Sequence, residues 1–169
     1  MRYGAAKTSR DDWATPRHVA RAFVEEYHLG LDVCATAGNA VTEAFFSPEE
    51  DGLKRSWSYK KVWCNPPYSE KKQWIEKALH EVGERGCTRA VLLLPASPAS
   101  RWFSSILLSG LCRAVVFIVP RVLFVDPTGE GRRSPNHGSC ALVLERGLHR
   151  PALGLLDTSG GEARWVWKA

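Results

Sequence analysis

The stretch KVWCNPPY at residues 61–68 decides the predicted fold, because it joins a strand to a rigid turn and a helix. Its first four residues are mostly apolar, as a short buried strand requires. Two consecutive prolines then end the strand, since proline has a fixed φ and no backbone N–H. Beyond them, apolar residues recur at helical spacing over residues 71–82. We call residues 65–68 the NPPY turn.

Predicted strands and helices alternate in both directions from the NPPY turn. Toward the N-terminus, Thr15-Pro16 is typical of a helix start, and apolar runs at residues 31–35 and 43–46 predict strands. Toward the C-terminus, strands are predicted at residues 90–94 and 114–119, with a helix over residues 99–108 between them. This alternation predicts an α/β fold, a mostly parallel sheet with helices on both faces. The later strands lack such helices, which predicts an antiparallel edge strand.

Composition is ordinary for a globular domain. The chain has 169 residues, of which 44% are apolar and 24% are charged. We expect residues 13–169 to form one domain, preceded by a mobile polar arm at residues 1–12. No apolar run reaches the roughly 18 residues of a membrane span, so we expect a cytoplasmic protein that does not contact membranes. The five cysteines include no C-x-x-C pair, which argues against a zinc site.

Several polar segments follow predicted strands and are therefore expected at one edge of the sheet, where ligands bind in open α/β folds. Asp32 and the small-residue turn after it can meet a cationic or hydroxylated ligand, or can simply connect two elements. Asp51 can meet a ligand amino group, or can lie in a solvated surface turn. The NPPY turn offers an amide and a carbonyl that accept hydrogen bonds from an amino group, beside a ring that can stack on a base.

The NPPY turn resembles the Asp/Asn-Pro-Pro-Tyr/Phe/Trp motif of S-adenosylmethionine-dependent amino-methyltransferases. Residues 31–39 are similar to that family's cofactor loop, Leu-Asp-Pro-Ala-Cys-Gly-Ser-Gly-Asn: the match includes Asp32, Gly38 and Asn39, whereas Val33 and Thr36 depart from it. The order of further segments resembles the small phage-type, Dam-like DNA N6-adenine methyltransferases over about residues 12–145. Those segments are Trp13-x-Thr15-Pro16, Asp51-Gly52-Leu53 with Trp57, and Arg121-x-x-Phe124.

This resemblance implies a Rossmann-like methyltransferase fold, S-adenosylmethionine as the cofactor and double-stranded DNA as the partner, in a bacterial or phage-infected cell. It implies that the catalytic residues are Asn65, Pro66, Pro67 and Tyr68. It also implies that Thr15 and Pro16 lie near the methionine end of the cofactor, Asp32 near its ammonium group and Asp51 near its adenine or ribose. The full set of expected cofactor-binding residues is Trp13, Thr15, Pro16, Asp32, Cys34, Ala35, Gly38, Asn39, Asp51 and Leu53.

The expected chemistry needs no strong base. The Asn65 side-chain oxygen and the Pro66 carbonyl can each accept one hydrogen of an adenine N6 amino group, which turns the nitrogen lone pair toward the methyl group. The target base must leave the duplex, and Tyr68 and Phe124 are expected to stack on its two faces. Phe124 has an alternative role as a core residue.

Basic residues are expected to hold the nucleic acid, in agreement with a net charge of +5 and an isoelectric point near 9.1. They lie beside the NPPY turn and in a loop over residues 121–139 that can contact base edges; the alternative is a solvated surface. With Phe124, the candidates are Lys71, Lys72, Arg121, Arg132, Arg133, Asn136 and His137.

Two alternatives to DNA adenine methylation stay open at this point. The NPPY turn serves any planar amide or amidine nitrogen, so the acceptor can be a protein glutamine or an RNA adenine. The cofactor loop also departs from the family pattern, which would suit a catalytically inactive nucleic-acid-binding relative.

Overall fold

The computed structural model describes residues 13–126 and 131–167, so the predicted arm at residues 1–12 lies outside the described residues. Within these ranges the chain forms three α-helices and ten β-strands. The helices are α1 (Arg17–Tyr27), α2 (Lys71–Gly83) and α3 (Arg101–Leu108). The strands are β1 (Leu31–Asp32), β2 (Ala44–Phe45), β3 (Lys61–Cys64), β4 (Arg89–Pro95), β5 (Cys112–Val119), β6 (Phe124–Val125), β7 (Arg132–Arg133), β8 (Ser139–Glu145), β9 (Ala152–Asp157) and β10 (Arg164–Trp167).

Eight strands form one sheet in the order β10-β9-β5-β8-β4-β3-β1-β2. The pairs β1–β2, β1–β3, β3–β4 and β5–β9 are parallel, which confirms the predicted α/β class. The sheet has an antiparallel edge strand, as predicted, and this strand is β10. The prediction did not place a second antiparallel strand, β8, between β4 and β5 in the interior of the sheet. No helix crosses back over the sheet between β5 and β8 in the described ranges, so β8 enters antiparallel to its neighbours.

Helices pack on both faces of the sheet. One face carries α1, whose Val19, Phe23 and Tyr27 pack in the same core cluster as Trp63 and Leu93. The opposite face carries α2 and α3, which bury their apolar sides against the alternate residues of the same strands. No helix within the described ranges is both long and apolar enough to cross a membrane.

Helix α1 starts one position later than predicted. Pro16, expected as the first helical residue, instead occupies the cap position, and its carbonyl accepts hydrogen bonds from the N–H groups of Val19 and Ala20. Thr15, expected as the cap, makes no capping bond, and its buried hydroxyl has no hydrogen-bond partner among the described residues. The helix start therefore leaves one polar group unpaired.

A two-stranded hairpin, β6–β7, lies within the segment that was predicted to be a loop. Residues 13–15 attach to this hairpin: Ala14 donates to the Val125 carbonyl at 2.7 Å, and Val125 donates back to the Ala14 carbonyl at 3.0 Å. We call residues 13–15 the tether, because they connect the hairpin to the start of α1.

Candidate active site

A cleft of about 740 Å³, including its open mouth, lies where β1, β2 and β3 end. Because these strands are parallel, the segments after them meet at one edge of the sheet, as predicted. Two residues of the NPPY turn, Asn65 and Pro67, line the cleft. Seven of the expected cofactor-binding residues also line it, namely Trp13, Thr15, Asp32, Cys34, Ala35, Asn39 and Asp51.

Three of the expected cofactor-binding residues are not in the cleft lining. Pro16 is buried at the start of α1, Leu53 packs against the core cluster under α2, and Gly38 is exposed on the loop after β1. Two catalytic candidates are also not in the cleft lining: Pro66 is buried, and Tyr68 is half-buried against the core cluster of α1. A backbone carbonyl at position 66 was the expected contact, and its role stays a prediction.

Asp32 organises the loop that follows β1. Its side chain is only 2% exposed, and its two carboxylate oxygens accept backbone hydrogen bonds from Cys34 and Val41, both at 3.2 Å. Burial raises the pKa of the Asp32 carboxyl to about 6, and the two backbone bonds oppose this shift. A cation that enters the cleft would therefore stabilise the ionised form of this buried carboxyl group.

Hydrogen bonds join Thr36 and Asn39 in the loop after β1, where Thr36 stands at a position that is glycine in the family pattern. The side-chain oxygen of Asn39 accepts hydrogen bonds from the Thr36 backbone N–H at 2.7 Å and from the Thr36 hydroxyl at 3.2 Å. A third bond runs from the Asn39 N–H back to the Thr36 carbonyl at 3.2 Å. Two side-chain hydrogen bonds and one backbone bond therefore close this turn.

Gly52 brings the neighbouring loop into contact with the loop after β1. A Cβ at position 52 would lie 1.9 Å from the Val33 carbonyl oxygen and 3.2 Å from the Trp74 ring, so glycine is required for this close approach. The preceding residue, Asp51, accepts a hydrogen bond from the Leu53 N–H at 3.1 Å and forms an ion pair with Lys54 at 2.8 Å. The bond from Lys54 lowers the pKa of the Asp51 carboxyl.

Trp57 anchors this loop in the core. Its indole N–H donates to the Gly52 carbonyl at 2.9 Å, and its ring stacks on Trp74 with centroids 6.4 Å apart. Its backbone N–H donates at 2.8 Å to Glu81, a buried carboxylate that also pairs with Lys77 at 2.6 Å. The conspicuous tryptophan after Asp51-Gly52-Leu53 thus has a structural role, which is to hold Gly52 at the cleft wall.

Asn65 is held by the tether. Its Nδ2 donates to the Trp13 carbonyl at 3.3 Å, which leaves its oxygen Oδ1 available as an acceptor. Asn65, Trp13 and Asp32 all line the same cleft. The site therefore combines an amide acceptor with an acidic, partly aromatic pocket.

Comparison with known proteins identifies the family of this chain. A family model described as "DNA N-6-adenine-methyltransferase (Dam)" matches residues 4–161. The chain belongs to this Dam family. It is 38% identical over 97 residues to a DNA N-6-adenine-methyltransferase of Escherichia phage T1, covering 56% of this chain and 40% of that relative. It is 28% identical over 144 residues to one of Haemophilus phage HP1, covering 82% and 81% of the two chains.

The aromatic residues of this Dam-family chain do not form the expected sandwich. Tyr68 and Phe124 contact each other edge to face, with centroids 6.2 Å apart and planes at 86°, so no base fits between them. Phe124 is 6% exposed and belongs to the core cluster, which favours its alternative role in the core over stacking on a base. The Tyr68 hydroxyl is buried next to that of Ser139, and neither makes a well-formed hydrogen bond among the described residues.

The expected nucleic-acid-binding residues fall into two groups. Arg121, Arg132, Asn136 and Lys72 are exposed, and Lys72 lies 3.8 Å from Glu76 on the same helix. Lys71 and His137 are half-buried beside the NPPY turn: Lys71 donates to the Tyr68 carbonyl at 3.0 Å, and the His137 ring lies 5.8 Å from the Tyr68 ring. The side chain of Arg133 lies outside the described part of the structure, although its backbone pairs with Phe124.

Sequence reasoning missed several residues that line the cleft of the Dam-family fold, including Trp63, Trp74, Phe46 and Ser47. Trp74 belongs to the apolar repeat of the helix predicted over residues 71–82, a spacing that predicts a core position, and it is 3% exposed. Its indole N–H is buried without a hydrogen-bond partner among the described residues. Hydrophobic periodicity gives no information about unpaired hydrogen-bond donors. Only the structure therefore identifies Trp74 as a candidate cofactor-binding residue. Within the described ranges, no group of three or more His, Cys, Asp or Glu side chains can hold a metal ion.

Proposed function

We propose that this chain transfers a methyl group from S-adenosylmethionine to the N6 amino group of adenine in double-stranded DNA. The observation that carries this proposal is the position of Asn65, whose amide lies on the wall of the cleft that Asp32 and Asp51 also line. An acceptor for an amino group thus adjoins a pocket that carries two carboxylates. Both phage relatives are named for this activity, and this chain spans 40% of the phage T1 relative and 81% of the phage HP1 relative.

The polar groups of the cleft suit S-adenosylmethionine. Asp32 offers a buried carboxylate for the ammonium group, and Asp51 offers a partly exposed carboxylate for ribose hydroxyls or the adenine amino group. Two buried polar groups of lining residues, the Thr15 hydroxyl and the Trp74 indole N–H, have no protein partner among the described residues. An unpaired buried donor costs about 1–3 kcal/mol. A hydrogen bond from either group to an acceptor atom of the ligand would therefore be favoured.

The residues of the NPPY turn would position the target nitrogen. S-adenosylmethionine, when bound, supplies a methyl group on a positively charged sulfur. Asn65 Oδ1 and the Pro66 carbonyl would accept the two N6 hydrogens, so that the nitrogen lone pair points into the cleft. Both prolines fix the backbone before substrate arrives, which favours the transition state without reorganisation. Alignment of the two reactants supplies much of the remaining rate enhancement.

The target adenine would leave the duplex to reach Asn65, because its N6 atom is inaccessible within the base stack. Since Phe124 contacts one side of the Tyr68 ring, we propose that the base stacks on this ring from the opposite side alone. Exposed Arg121 and Arg132 would contact the phosphate backbone around the extruded base.

Transfer of radiolabelled methyl from S-adenosylmethionine to duplex DNA, RNA and protein tests this proposal. We expect label on DNA adenine with the wild type and none with Asn65→Ala, with both proteins assayed below their unfolding midpoints. Label on RNA adenine or on protein glutamine alone would contradict the proposal that DNA adenine is the methyl acceptor. Binding of the cofactor without transfer to any of the three would identify an inactive relative.

A further inference from the structure

The amide orientation of Asn65 is set by a group outside the NPPY turn. Its Nδ2 donates to the Trp13 carbonyl at 3.3 Å, across 52 residues of sequence. The opposite orientation would bring two oxygen atoms to that distance, without a hydrogen between them. The contact therefore selects one of the two amide orientations, namely the one with Oδ1 away from Trp13.

The Trp13 carbonyl is itself held in place by the tether. The next residue, Ala14, exchanges two backbone hydrogen bonds with Val125 of the hairpin, at 2.7 and 3.0 Å. Thr15 then leads into Pro16, whose carbonyl accepts the first hydrogen bonds of α1. Because the segment that follows Trp13 is bonded to both the hairpin and the helix, its carbonyl cannot turn away from Asn65 without breaking backbone hydrogen bonds.

We propose that the Trp13 carbonyl is a positioning group for methyl transfer, and that position 65 must carry Asn, not Asp, in this chain. The inference rests on the proposed function, in which Oδ1 accepts a hydrogen of the target amino group. The motif that this turn resembles accepts either Asp or Asn at its first position. In this chain the carbonyl opposite the side chain requires a donor, and an ionised carboxylate has none.

The substitution Asn65→Asp separates the need for an acceptor toward the substrate from the need for a donor toward the Trp13 carbonyl. It keeps the shape of the side chain and removes its N–H donor. In its ionised form, the introduced carboxylate would face the Trp13 carbonyl with an oxygen and be repelled by it. In its protonated form, the introduced carboxyl can donate its O–H to that carbonyl and present the other oxygen to the substrate. Activity of this variant should therefore require protonation, although an aspartate side chain ordinarily titrates at about 3.9.

The test compares wild type, N65D and the control Q73E over pH 6.5 to 8.5. Gln73 is exposed on α2, outside the cleft lining, and Q73E adds the same negative charge. We expect the kcat ratio of N65D to wild type to fall about tenfold per pH unit, since the protonated fraction falls by that factor above the pKa. The Q73E ratio should stay constant. A pH-independent ratio for N65D, or kcat near that of wild type at pH 8, would overturn the inference.

A second measurement does not depend on catalysis. Ionisation of the introduced carboxyl against a fixed carbonyl destabilises the fold, so the pKa of this carboxyl in folded N65D should be raised above its unfolded value. The unfolding midpoint of N65D relative to wild type should then fall as pH rises from about 4 to about 6, and stay low above that range. If the difference in unfolding midpoint between N65D and wild type did not change with pH, the contact between Asn65 and the Trp13 carbonyl would be contradicted. If the wild type methylated no DNA but the midpoints behaved as expected, the proposed function alone would fail.

Discussion

Gly52→Ala should damage both the fold and the cofactor site, because no space exists for one additional carbon. The new Cβ would lie 1.9 Å from the Val33 carbonyl oxygen, which is a backbone atom and cannot rotate away. Ordinary contact between such atoms begins at about 3.5 Å, so the two loops must separate by roughly 1.5 Å. Overpacking of this kind costs about 1–3 kcal/mol, and a clash between two backbones belongs at the upper end. The unfolding midpoint should therefore fall by roughly 6–12 °C.

Affinity for the cofactor should fall as well, since Val33 and Gly52 both line the cleft. We expect the Kd of S-adenosylmethionine, measured by calorimetry below the unfolding midpoint, to rise at least about tenfold. The matched control is Gly30→Ala, where an added Cβ meets nothing within 4 Å and φ is not positive. The control should change stability by less than about 0.5 kcal/mol. If Gly52→Ala unfolded and bound like Gly30→Ala, the close approach of the two loops would be refuted.

Three further predictions concern the cleft and the NPPY turn. Trp74→Phe keeps an aromatic ring against Trp57 but removes the unpaired N–H, so calorimetry should show a Kd for S-adenosylmethionine about tenfold higher. An unchanged Kd would exclude a hydrogen bond from the Trp74 indole N–H to the cofactor. The same Kd should rise as pH falls below about 6, because the Asp32 carboxyl then takes up a proton and no longer favours the ammonium group. Constant affinity between pH 7 and 5 would contradict this role. Tyr68→Phe removes a buried hydroxyl without a well-formed hydrogen bond, so methylation and the unfolding midpoint should survive, whereas Tyr68→Ala should lower kcat more than cofactor affinity. Equal losses of kcat and affinity in Tyr68→Ala would argue against a role of the ring in base stacking.

Local patterns predicted most of the fold. Strand β3 begins and ends at the expected residues, since apolar residues and the two prolines define it on both sides. The position of β8 was the main error. Its first six residues, 139–144, are all buried, and a run without polar alternation is typical of a strand covered on both faces. That signal was present in the sequence, but the non-helical connection before it was taken to indicate an edge.

Site residues could be predicted from the sequence where their residue type suits only one role at that position. Asp32 and Asp51 lie at the cleft because they follow parallel strands, and strand order alone brings such segments together. Phe124 could not be assigned in this way, because core packing and base stacking require the same ring. The Trp13 carbonyl and the unpaired Trp74 donor were also inaccessible to sequence reasoning, since both depend on distances between segments that are far apart in the chain.

The most direct test of the account is the identity of the methylated nucleoside. Duplex DNA incubated with the wild type and labelled S-adenosylmethionine would be digested to nucleosides and separated by chromatography with mass detection. We expect the label in N6-methyl-2′-deoxyadenosine with the wild type, and none with Asn65→Ala. Label in a cytosine nucleoside, or an Asn65→Ala variant as active as the wild type, would contradict the claim that Asn65 holds the adenine amino group.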